Sequence, residues 1–71
     1  MSFDYRKLRG KIREVCGTQY KFSTAVKLSG ASVSAKLNNK VQWSQTEINK
    51  ACNVLDIPDS EMATYFFTLK V

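Results

Sequence analysis

Apolar side chains in this 71-residue chain recur mostly three or four positions apart, the spacing that gathers them on one side of a helix. Tyr5, Leu8, Ile12, Val15 and Cys16 make the first stripe, and Arg6, Lys7, Arg9, Lys11 and Arg13 occupy the rest of its circumference. Asp4 stands at the N-cap position of that helix, behind a short lead-in, Met1-Ser2-Phe3. Gly17 stands at its end, and Thr18 is placed to cap the next. Gly10 inside the first helix is a weak point, costing roughly 1 kcal/mol against alanine. Phe22 and Val26 are four apart, as are Val33 and Leu37, so two short helices flank Lys27-Leu28-Ser29-Gly30. Leu28 reads as a buried plug in that turn, and Ser29 as the N-cap of the helix that follows. Asn38-Asn39-Lys40 closes it, and Val41-Gln42-Trp43 is a linker with apolar anchors.

Ser44-Gln45-Thr46-Glu47 has the capping-box pattern, a serine followed three residues later by glutamate, just before an apolar-periodic run. Ile48, Ala51, Cys52 and Leu55 form the stripe of that fourth helix. Pro58 suits a helix start because it lacks an N–H, and Asp59 and Glu61 suit the positive end of a helix dipole. Met62, Tyr65, Phe66 and Leu69 give a fifth stripe, fraying into Thr68-Leu69-Lys70-Val71. The spacing therefore predicts an all-α fold of five short helices, at 4–16, 19–26, 30–38, 45–55 and 59–66, within one domain spanning 1–71. The expected core is Leu8, Ile12, Val15, Phe22, Val26, Leu28, Val33, Leu37, Ile48, Cys52, Leu55, Met62 and Phe66. Phe67, with Leu69 and Val71, is left for an apolar C-terminal edge or for folding back on the core.

The second and third helices with their tight turn have the pattern of a helix-turn-helix, whose second helix usually enters a DNA major groove. Composition bears on that reading. The net charge is +5 and the pI about 9.5, which favours an anionic partner. The charge is uneven: Arg6 to Lys40 holds nine Lys or Arg and one acid, Glu14, while residues 41–71 hold two bases and four acids. A solvated helix face, phosphate binding and steering toward an acidic partner all fit such a run.

Cys16 and Cys52 have no CxxC spacing, and there is no histidine, which argues against a metal site. Each falls on an apolar stripe, as a buried thiol would. No nucleophile elbow, phosphate loop or carboxylate pair is visible, so no enzyme and no cofactor is expected. Neither a signal-peptide core nor a long apolar segment is present, and the expected setting is the cytosol, with no membrane partner.

The runs SFDYRKLRGKIRE, KLNNK, QWSQTEINKACNVLDIPD and YFFTLK, set around the helix-turn-helix, resemble small Cro/CI-type proteins of temperate phages of Gram-positive hosts. The resemblance covers essentially the whole chain. It is narrowest toward the antirepressors among them, which work with a phage's own repressor. It implies a five-helix, lambda-repressor-like fold, a role in the lysis/lysogeny switch in the bacterial host cytoplasm, and a phage repressor as partner.

Two departures from the family pattern lie in the motif itself. Ser23 takes the place of a small residue, often alanine, and Lys27 that of the turn glycine, which calls for a backbone adjustment or a left-handed residue. The larger departure is on the outer face of the third helix. In this architecture the base-reading positions are Ser29, Gly30, Ala31, Ser34, Ala35 and Asn38. Direct readout wants Arg on guanine or Asn and Gln on adenine, yet Gly30, Ala31 and Ala35 offer no side-chain polar atoms. Thymine methyls and DNA shape remain available to such a face.

Two functions follow. In the first, the chain is an antirepressor that binds the repressor's N-terminal DNA-binding domain through its own helix-turn-helix face. Gly30, Ala31, Ser34 and Ala35 would then allow close approach, with Gln19, Ser29, Ser32, Lys36, Asn38 and Gln42 as a polar rim. In the second, it is a Cro-like dimer that binds operator DNA directly. The small-residue face favours the first, with operator DNA met only weakly or through the repressor complex.

Overall fold

Local capping chemistry decides where the helices begin. The computed structural model describes residues 2–71; Met1, the first residue of the expected lead-in, lies outside them. The chain forms α1 (Arg6–Cys16), α2 (Gln19–Ala25), α3 (Gly30–Leu37) and α4 (Gln45–Leu55), then a 3-10 turn (Asp59–Glu61) running into α5 (Met62–Phe66). The side chains of Thr18, Ser29 and Ser44 each accept the backbone N–H three residues on, from Lys21, Ser32 and Glu47. At Ser44 the box is reciprocal, since its own N–H donates to the Glu47 carboxylate at 2.8 Å.

Where these starts were read from side chains, they agree with the sequence. α1 differs: it begins at Arg6, and Asp4 is not its formal cap, although its carboxylate accepts the Arg6 N–H at 3.0 Å. The same carboxylate grips the Arg6 guanidinium at 2.8 Å, and this bonding holds Asp4 down at a pKa of about 2. The fifth helix is tighter at its start than expected, because its first turn closes by a Glu61 N–H to Pro58 carbonyl bond, the 3-10 spacing.

The first four helices end at or beside residues with positive φ, whereas α5 ends at Phe67 with φ −125°. Lys27 has φ 61°, so the missing turn glycine is met by a strained lysine. Its N–H bonds the Thr24 carbonyl, and the Leu28 N–H bonds the Ser23 carbonyl at 2.9 Å, a Schellman closure that tucks Leu28 partly under the motif. α3 closes the same way through Asn39 (φ 62°), with the Lys40 N–H on the Ala35 carbonyl.

These ends place α2 and α3 against each other as the expected helix-turn-helix, with α1 packed on α2, α4 and α5. Phe22, Leu8, Val33 and Leu55 are fully buried at the centre. Trp43 lies between Phe22 and Phe66, edge-on to both, at ring distances of 6.4 and 5.4 Å. Val15, expected inside, is 45% exposed. The buried line of α1 runs Tyr5, Leu8, Ile12 and the half-buried Cys16, which leaves Val15 on its flank in the last turn. Leu28 and Met62 are only partly buried, whereas Tyr5, Ala51, Ile57 and Tyr65 join the core. Cys52 is buried, which pushes its thiol pKa up.

The two ends of the described chain are neither a free lead-in nor a frayed tail. Phe3 and Leu69 form an antiparallel bridge, flanked by Asp4 N–H to Thr68 carbonyl (2.7 Å) and Lys70 N–H to Ser2 carbonyl (3.0 Å). Phe3's own N–H and carbonyl are both taken by the Asn39 side chain, at 2.9 and 3.0 Å. No helix among the described residues is long and apolar enough to cross a membrane.

Two substitutions test this backbone account. A Cβ at Gly10 meets nothing within 4 Å, so Gly10→Ala is expected to stabilise by about 1 kcal/mol. Lys27→Gly relieves a left-handed residue and is expected to gain roughly 1 kcal/mol. Thermal unfolding should show each as a rise of about 4–8 °C in Tm.

Candidate functional site

The helix-turn-helix sets the most exposed part of its second helix at the N-terminal end. Ser29, Gly30 and Ala31 are exposed, and Ser32, Ser34 and Ala35 are half-buried. Ser29 spends its hydroxyl oxygen on the Ser32 N–H at 3.0 Å. A Cβ at Gly30 would meet nothing within 4 Å, so its surface is bare backbone open to solvent. Ala31 adds one methyl. This end of α3 therefore carries no long donor or acceptor for base edges, and its relief is low enough for another chain to come close.

The expected polar rim is brought together only in part. Gln19 is half-buried at the start of α2, in a depression of about 470 Å³ whose walls include Arg9, Arg13 and Thr18. Gln42 is exposed but lines a different depression, with Phe3, Val41, Trp43 and Phe67. Asn38 is exposed, yet its amide is engaged: the oxygen accepts from Arg9 at 3.0 Å, and the nitrogen donates to Ser34 at 3.4 Å.

Lys36 departs most from the expectation. It is 5% exposed, and its ammonium sits 3.3 Å from the Glu47 carboxylate. The lysine stem lies against the protein while its charge is spent on the capping box of α4, so it offers no donor to a rim. The Ser44 N–H bond and the nearby Lys36 ammonium hold Glu47 below the usual carboxylate pKa, against the opposing effect of burial.

Arg9 was read as one charge of the basic run, and its role is more specific. Its guanidinium donates to the Leu37 carbonyl at 3.1 Å and to Asn38, closing the C-terminal end of α3 with a cation. Nothing local in the sequence announces this bond, because 28 residues separate Arg9 from Leu37. Lys21, Lys27 and Lys40 are exposed and form no ion pair among the described residues. The positive field of the motif thus rests on flexible lysines around a face that has almost no side chains of its own.

An all-helical domain with a helix-turn-helix and an unadorned second helix is the class that fold and face define. The chain belongs to a family described as proteins of unknown function, DUF739, which matches over residues 1–69. It is similar to the modulator of repression (MOR) of the temperate bacteriophage TP901-1 from Lactococcus lactis, whose solution structure it matches with a TM-score of 0.83. The two are 52% identical, over 100% of this chain and 96% of that one. No curated protein matches the chain.

The Lys36–Glu47 pair carries a pH prediction. A carboxylate whose pKa is lowered on folding adds stability above its unfolded pKa and loses it as the pH falls through the folded value. Glu47→Gln retains an acceptor for the Ser44 N–H but removes the charge. The variant should be less stable than the parent by about 1 kcal/mol at pH 7. Denaturant titrations should show that difference shrinking toward zero as the pH is taken well below the glutamate range.

Proposed function

We propose that this protein is a phage modulator of repression, a transcriptional regulator of the lysis/lysogeny switch that acts by binding and not by catalysis. Its partner on this reading is the phage repressor, met on the repressor's N-terminal DNA-binding domain in the bacterial cytoplasm. The observation that carries the reading is the 52% identity, over the full chain, to a protein described as a modulator of repression. The geometry supports the part of the surface assigned to the contact. Gly30 and Ala31 are exposed, with open space above Gly30, so a partner's helix or long side chains can approach the α3 backbone.

The rim of that contact is smaller than the sequence suggested. The Ser32 and Gln19 side chains form no hydrogen bond among the described residues, whereas Ser29 is taken up by the Ser32 N–H, Ser34 by Asn38, Lys36 by Glu47 and Asn38 by Arg9. Ala35 is half-buried, which makes Ala31 the cleaner position for a test. Ala31→Arg puts a long cation on the exposed face without touching the core. In calorimetric titration against the repressor's N-terminal domain, it should abolish binding while melting within a few degrees of the parent. Equal affinity of variant and parent would place the contact elsewhere.

Direct operator binding by a Cro-like dimer calls for base-reading side chains that this face does not carry. The protein alone should therefore bind operator and scrambled duplexes alike, weakly and with strong salt dependence, through its unpaired lysines. Fluorescence titrations of both duplexes at two salt concentrations measure this. Nanomolar, operator-selective binding at physiological salt would establish the Cro-like function instead.

A further inference from the structure

The bridge that joins the two ends of the described chain has one sealed edge and one open edge. Phe3 and Leu69 face each other without bonding to each other, since the flanking bonds run from Asp4 to Thr68 and from Lys70 to Ser2. In such a pair, the N–H and carbonyl of each residue point outward, away from the partner strand. On the outer side of Phe3 both groups are satisfied by the Asn39 amide, which acts as a short substitute strand. On the outer side of Leu69 neither group has a partner among the described residues.

Side chains around this open edge alternate in kind. Phe67, Leu69 and Val71 are exposed, the first two at 50% and 52% of their reference areas. Phe67 meets Phe3 edge-on at 6.0 Å, on the face that Phe3 and Leu69 share across the bridge. The groove of about 410 Å³ that Phe3 and Phe67 line with Asn39, Lys40 and Val41 includes none of residues 68–71 and lies apart from the open edge. Thr68 and Lys70 fall on the opposite face by the two-residue period of an extended strand. Lys70 forms no ion pair among the described residues.

We propose that the Leu69 edge is a docking site for an extended segment of another protein in which apolar residues alternate with acidic ones. The segment adds as a strand beside residues 68–71. Its backbone takes the Leu69 N–H and carbonyl, its apolar side chains cover Phe67, Leu69 and Val71, and its carboxylates meet Lys70. Charge selects this occupant over a second copy of the chain, which would set another Lys70 against an edge whose one charged side chain is Lys70. The site uses none of the α3 residues assigned to the repressor contact, so the two proposals stand or fall separately.

Fluorescence anisotropy with a labelled six-residue peptide of alternating valine and glutamate tests the edge, with a valine–lysine peptide as control. The acidic peptide should bind saturably and the basic one should not. Leu69→Pro removes an N–H that the fold does not use, together with the leucine side chain that the segment covers, and should weaken binding about tenfold with little change in melting temperature. Lys70→Glu should reverse the preference between the two peptides, which a general loss of folding cannot do. Equal binding of both peptides, an unaltered affinity in Leu69→Pro, or sedimentation showing the edge occupied by a second copy would overturn the proposal.

Discussion

Trp43 is the constraint on which the rest of this small fold depends. Its ring is held between Phe22 of α2 and Phe66 of α5, so one side chain from a linker ties the helix-turn-helix to the C-terminal helix. A chain this short buries few large residues, and Phe22 and Phe66, the two largest of its fully buried side chains, are the pair that the Trp43 ring joins. The α2–α3 pair could not hold its geometry alone, since helices of 7 and 8 residues are marginal in water without tertiary packing. The aromatic line supplies that packing from behind and leaves the outer face of α3 free of structural duty.

The polar contacts act on the same element from its ends. Arg9 closes the last turn of α3, and Lys36 reaches from α3 to the capping box of α4. Asn39, the left-handed residue just past α3, clasps Phe3 with both ends of its amide. α3 is therefore fixed from Val33 onward, where Val33, Lys36 and Leu37 are buried, and most exposed at its N-terminal end. That asymmetry concentrates the candidate contact on Ser29, Gly30 and Ala31.

Helix positions were legible in the sequence because their signals are local. Thr18, Ser29 and Ser44 cap helices through bonds spanning three residues, and each was identifiable from its own neighbourhood. The left-handed strain at Lys27 was legible too, from a lysine standing where a turn favours glycine. Contacts between distant residues were not. Periodicity placed Val15 and Cys16 on one stripe, and only the packing shows that Cys16 has the buried side. Lys36 read as a rim residue because its Glu47 partner lies on another helix, and the Phe3–Leu69 bridge joins residues from opposite ends of the chain.

The central claim is that the N-terminal end of α3 is a protein-binding face. Amide NMR of the full chain, titrated with the phage repressor's N-terminal domain, addresses it residue by residue. Signals of Ser29, Gly30, Ala31, Ser34 and Ala35 should shift or broaden together, while those of α5 and Leu69 stay in place. A footprint on α1, α4 or α5 that leaves Gly30 and Ala31 unmoved would contradict it.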